Sequence, residues 1–167
     1  MGAVRLALVI FLPASLLRAQ VPDVGQAGRL SAAAAPVQGD AGLAQKAYAI
    51  AEEAVREKQV PRKAREDLVR YVLPALRARC VAIINVSESD IPGSAAVYDD
   101  ELDAVKTPGI DLKDPDSRAK TLHELMHVAQ DGAKRGQMRE DSEQDAYAVQ
   151  VEYLMRGKGI LREEEDG

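Results

Sequence analysis

The chain has a single cysteine and only two histidines among its 167 residues. With Cys80 alone, it can form no internal disulfide framework. The apolar run Val81-Ala82-Ile83-Ile84 beside it predicts a buried, inert thiol. Both histidines are committed elsewhere, so none is left as its base and a cysteine hydrolase has no support. Basic residues form no cluster beyond Arg62-Lys63 and Arg65, and the net charge is −5, which argues against nucleic acid as a partner. No segment after Ala19 is long and apolar enough to span a bilayer, and no internal repeat is visible. What is present is a globular composition, 46% hydrophobic and 29% charged, at a length suited to one domain with a substantial core.

The amino terminus reads as a targeting segment. Arg5 precedes an apolar run, Leu6 to Leu17, of signal-peptide length and broken by Pro13, and a cut after Ala19 is expected. Removing Arg5 and Arg18 takes the net charge from −5 to −7. The expectation is an exported protein, periplasmic or secreted, with no stable membrane insertion once residues 1–19 are gone. No cysteine follows the apolar run, which argues against a lipoprotein. Residues 20–40, with Pro22, Gly25, Gly28, Pro36 and Gly39, read as a flexible leader. The leader carries no cysteine with which to mask a metal. The domain proper is expected over 41–160, followed by an acidic tail over 161–167.

Within that domain the pattern predicts an α+β fold, mainly helical, with about four helices and a small sheet or hairpin. Asp40 is placed to cap a first helix running to about Gln59, with Leu43, Ala47, Ile50, Ala51, Ala54 and Val55 on one stripe. Pro61 suits the first turn of a second helix, where Ala64, Leu68, Val72 and Leu76 recur every four residues, with Val69 and Leu73 alongside. Pro74 lies inside that pattern and predicts a kink, because it has no N–H for the carbonyl of Arg70. Cys80 to Val86 is β-branched and reads as a central strand. Ala95 to Tyr98 and Ala104 to Thr107 flank the acidic turn Asp99 to Asp103 and suggest a hairpin, with a single helical turn over 99–106 as the alternative. That turn lacks the central glycine and ligand spacing of a calcium loop.

Asp114-Pro115 supplies an N-cap and a first-turn proline for a helix that ends at Gly132 and buries Leu122, Leu125, Met126 and Ala129. This helix carries Thr121-Leu122-His123-Glu124-Leu125-Met126-His127. Histidines at i and i+4 share a face, so both imidazoles can reach one metal ion. Glu124, next to His123, is placed to act on a water at the open position of that ion. This His-Glu-x-x-His arrangement is that of zinc-dependent hydrolysis.

A catalytic zinc needs a third protein ligand. After a short connection containing Gly136, a last helix from about Arg139 to Arg156 can return antiparallel, with Gly157 as its C-cap. Its expected inner stripe is Glu143, Ala146, Tyr147, Gln150, Val151 and Leu154. A carboxylate on such a stripe wants a partner, which makes Glu143 the candidate third ligand and Glu140, one turn earlier, the alternative. Asp145 points to another side.

Here the chain resembles the zinc metallopeptidases of the gluzincin kind, in which a second helix carries the third ligand in a Glu-x-x-Ala pattern, seen as Glu143-Gln144-Asp145-Ala146. The resemblance covers His123 to about Leu154, with Ala104 to Thr107 and Ile110-Asp111 before the helix. It implies a minimal zincin domain holding one Zn2+ on His123, His127 and Glu143, with Glu124 as the base and a peptide or protein as substrate. It also implies an edge strand beside the site, matched by position to Ala104 to Thr107. Where several such families have Asp or Asn after the alanine, this chain has Tyr147, so support for the histidines must come from elsewhere, such as Asp145 or a backbone carbonyl. With no third histidine, Tyr98, Tyr147, Tyr153 or Arg139 is left to donate to an oxyanion. The alternatives to a peptidase are a zinc-stabilised domain that does not catalyse and a metal-free helical protein-binding domain.

Overall fold

The structure, a computed structural model, describes residues 38–133 and 139–161. The expected signal peptide, most of the leader, the connection over 134–138 and the acidic run Glu163 to Asp166 lie outside the described residues. So do the side chains of Arg139 and Glu140.

Helix α1 (Ala41–Arg56) starts where Asp40 Oδ1 accepts from the N–H groups of Gly42 and Leu43, at 2.8 and 2.9 Å. It ends short of Gln59 because Lys58 adopts a left-handed φ of 50° and the Gln59 N–H turns back to the Ala54 carbonyl at 2.9 Å. Leu43, Ala47, Ile50, Ala51 and Ala54 are buried as the stripe required, with Val55 half-buried.

The second helical pattern forms a continuous rod of three segments: α2 (Arg62–Asp67), a π-helical turn (Leu68–Val72) and α3 (Leu73–Ala78). Pro74 explains the middle one. The ladder widens before it, with the Leu73 N–H bonding the Leu68 carbonyl five residues back. The rod therefore absorbs the proline by a π turn. Ala64, Leu68, Val72 and Leu76 stay buried across it, whereas Val69 is exposed. Arg79 closes the rod with a φ of 57°. That turn leaves Cys80 exposed, contrary to expectation, and Val81 is the first residue to enter the core.

The sheet has the order β1-β3-β2 for β1 (Ala82–Asn85), β2 (Val97–Asp99) and β3 (Ala104–Thr107). β1 runs parallel to β3, pairing Ala82 with Ala104 and Asn85 with Thr107. β2 and β3 form the expected antiparallel hairpin, Tyr98 opposite Val105, and Asp99 pairs with Lys106 across it at 2.6 Å. Two expectations are corrected here. The β-branched run after Cys80 is an edge, and Ala104–Thr107 is the central strand, with Ala104, Val105 and Thr107 buried. Among the described residues the edge strand beside the motif helix is β2. At the other edge Gly39 lies against β1, where the Asp40 N–H donates to the Ile83 carbonyl at 2.7 Å.

Helix α4 (Pro115–Gly132) begins with Asp114 accepting from the N–H groups of Asp116 and Ser117, both at 3.1 Å. It runs through the middle of the domain, against α1, the π turn, β2 and above all α5 (Arg139–Gly157). Leu122, Leu125, Met126 and Ala129 are buried together with Ala119 and Val128. The face of α5 that meets it is rotated from the expected stripe. Ala146, Val149 and Tyr153 are buried, whereas Tyr147 and Val151 are more than half exposed at 56% and 51%. Ala146, fully buried, gives the backbones room to approach. Among the described residues no helix is long and apolar enough to cross a membrane.

Candidate metal centre

His123 and His127 lie one turn apart on α4, and Glu143 lies in the first turns of α5. The helix pair brings the three together. The two Nε2 atoms are 3.2 Å apart, Glu143 Oε2 is 3.4 Å from His123 Nε2, and Glu143 Oε1 is 3.6 Å from His127 Nε2. Ligands bound tetrahedrally at 2.0–2.1 Å stand roughly 3.3 Å from one another. The observed triangle has those sides, with the carboxylate astride the two imidazoles. Among the described residues this is the group of histidine and carboxylate side chains that could hold a metal ion.

The protonation states suit that use. Burial holds the His123 pKa below its ordinary value, and the neighbouring His127 pushes the same way. Glu143 and the Ala146 backbone carbonyl oppose this, and the neutral ring is favoured. His123 Nδ1 is buried and has no hydrogen-bond partner among the described residues. His127 Nδ1 has a full partner, Gln130 Oε1 at 2.8 Å. Sequence reasoning missed this residue, which lies three positions after His127 on the same helix.

Glu124 faces the same cleft, which has a volume of about 450 Å³ and is also lined by Gly93 to Tyr98, Lys120, Tyr147 and Gln150. Its Oε2 accepts from the Tyr98 backbone N–H at 2.8 Å, a bond from β2 that no side-chain pattern announces. Burial raises its pKa to about 7, the Tyr98 bond opposing and the charge of Glu143 adding to the rise. The carboxyl group is therefore poised between its two forms near neutral pH.

The other residues singled out from the sequence fall as follows. Asp145 turns away to Lys63, at 3.4 Å, and does not support the histidines. The Tyr98 hydroxyl bonds Asp103 and Asp131, at 3.2 and 3.4 Å, and is spent there. Tyr153 is buried under the guanidinium of Arg118, 5.6 Å above its ring, and does not line the cleft. Tyr147 does line it, its ring edge-on to His123 with centroids 4.5 Å apart. Lys120, one turn before His123, is a cleft cation that sequence reasoning passed over.

Comparison with protein-family models, curated proteins and solved structures gives no match. The site is therefore read from its own geometry.

Proposed function

We propose that this chain is a zinc-dependent peptidase acting on a peptide or protein substrate. The observation that carries the proposal is the triangle of His123 Nε2, His127 Nε2 and the Glu143 carboxylate, open to a cleft that also holds Glu124. The donor set fits zinc, being two imidazole nitrogens and one carboxylate at tetrahedral spacing. When bound there, zinc supplies a Lewis acid that polarises a carbonyl and acidifies water.

The chain's own groups do the rest. Glu124 takes a proton from the attacking water and returns it to the leaving amine. Tyr98, through its N–H, fixes the carboxylate that does this. In the antiparallel pair the Tyr98 N–H turns away from β3, and Ala96 lies immediately before the start of β2. Ala96 lines the cleft, and an extended substrate pairs with it. Edge-strand substrate binding is thus assigned to β2, in place of Ala104–Thr107. Among the described residues, Tyr147 and Lys120 are cleft donors that can meet an oxyanion.

The test is metal content of the untagged chain beside Glu143→Ala, followed by cleavage of a broad peptide library beside Glu124→Gln. The reading expects near one zinc per chain, lost in Glu143→Ala, and cleavage abolished in Glu124→Gln. A zinc-loaded chain that cuts nothing, with Glu124→Gln behaving identically, leaves a zinc-stabilised domain without catalysis.

A further inference from the structure

The amide of Gln130 is buried between α4 and α5. Its Nε2 donates to the Ser142 carbonyl at 2.8 Å, and its Oε1 stands 2.8 Å from His127 Nδ1. Each contact fixes the other. A backbone carbonyl only accepts, so the amide nitrogen must face Ser142 and the amide oxygen must face the imidazole. That oxygen also only accepts, so Nδ1 must carry the ring proton. The lone pair of His127 is then on Nε2, the atom that meets His123 and Glu143.

We propose that Gln130 is a positioning residue of the metal centre: held by the Ser142 carbonyl, it locks His127 in the Nδ1–H tautomer and presents Nε2 to a divalent cation. The proposal rests on the reading of His123, His127 and Glu143 as metal ligands. Ser142 immediately precedes Glu143, so the same amide ties the turn carrying the third donor to the helix carrying the other two. The nearby carboxylate of Asp145 is turned to Lys63 and does not share this role.

The experiment measures zinc affinity by chelator competition, and melting of the metal-free protein, for wild type, Gln130→Met and Gln130→Glu. Methionine keeps the volume but accepts nothing useful from Nδ1–H, so zinc binding weakens about 10- to 100-fold. Glutamate accepts from Nδ1–H in either orientation but offers nothing to Ser142. It therefore recovers affinity to within a few-fold of wild type, while its metal-free form melts below wild type. A role in packing alone would make affinity follow melting temperature in both variants. Wild-type zinc affinity in Gln130→Met, or no better binding by Gln130→Glu than by Gln130→Met, overturns the proposal. The wild-type protein gives a check independent of either variant. Nitrogen chemical shifts of metal-free His127 must show a protonated Nδ1, and a protonated Nε2 in its place sinks the idea. A wild-type chain that takes up no zinc removes the metal centre itself, a failure distinct from that of Gln130 alone.

Discussion

A carboxylate at Glu124 keeps one good hydrogen bond, from the Tyr98 N–H, while losing most of its water, and the balance sets its pKa at about 7. The ordinary value is 4.5, so between that pH and about 7 the folded chain binds more protons at this residue than the unfolded chain does. Stability in the metal-free protein therefore falls as pH rises through this window, and the full cost stands above pH 7. Gln at 124 still accepts from Tyr98 N–H and carries no charge to desolvate. Glu124→Gln should thus stabilise the metal-free protein at pH 8 by on the order of 2 kcal/mol, with the gap closing toward pH 5. Urea melts at the two pH values decide it, and equal midpoints at pH 8 would show that the buried charge is not the strained group. The residues that explain this balance differ in how legible they were. His123, Glu124 and His127 show in the sequence because a one-turn spacing on a helix fixes their shared face. Glu143 shows because a carboxylate three residues before Ala146 sits at the edge of an inner face. The Tyr98 bond does not show, since a backbone N–H has no residue type, and Gln130 is one amide among other polar residues until Ser142 fixes its sense.

Each helix and strand holds its part of the site by local chemistry that can be removed without touching the motif. Asp114 satisfies two N–H groups at the start of α4, and Asp114→Ala should cost about 1 kcal/mol in a chemical melt. Because His123 lies more than two turns further along, zinc content should be unchanged; loss of metal in that variant would mean that the cap positions the site. Gly39 answers to a tighter constraint. A Cβ there would lie 3.1 Å from Ile83 N and 3.2 Å from Ile83 O, backbone atoms of β1 that cannot swing aside. Gly39→Ala should cost about 1–3 kcal/mol, and a neutral result would show that the segment before α1 can lift off the strand. The same two elements mark how far sequence patterns reach. Caps and the stripe of α1 were readable because Asp40, Asp114 and a clean 3.6-residue period each have one interpretation. The phase of α5 was not, because apolar residues occur at Ala146, Tyr147, Ala148, Val149, Val151, Tyr153 and Leu154, nearly all round the helix. Packing on α4 chose Val149 and Tyr153 for burial and left Tyr147 on the cleft. Strand order was equally open, since β-branched residues say that a strand forms and not which neighbours it takes.

Across the whole molecule, the proposed metal joins the two helices that pack most closely, α4 through both histidines and α5 through Glu143. A ligand that binds only the folded chain stabilises it by about 4 kcal/mol when present at 1,000 times its dissociation constant. For a domain of this size that is a rise in melting temperature of roughly 10 °C. The effect must depend on pH, because protons compete with zinc for the imidazoles. His123 is held below the ordinary histidine value of 6.5, so it stays neutral, and able to bind, somewhat further into acid than a free histidine. Protonating both rings would also place two positive charges at Nε2 atoms 3.2 Å apart, which opposes the last step of acid release but cannot prevent loss of the metal. The expected outcome is a full zinc-induced shift at pH 7.5 and none at pH 4, read by calorimetry with and without chelator. A shift that persists at pH 4 would point to a site made of carboxylates alone. Glu124→Gln completes the argument, because Glu124 is no ligand in this arrangement. The variant should keep the zinc-induced shift at pH 7.5 while peptide cleavage falls by at least about 100-fold, the loss expected for a missing general base. If cleavage and the thermal shift disappear together, Glu124 holds the metal or the fold and the assignment of the base is wrong. If the shift stays and no substrate is ever cut by either protein, zinc here clamps two helices and the cleft serves to bind.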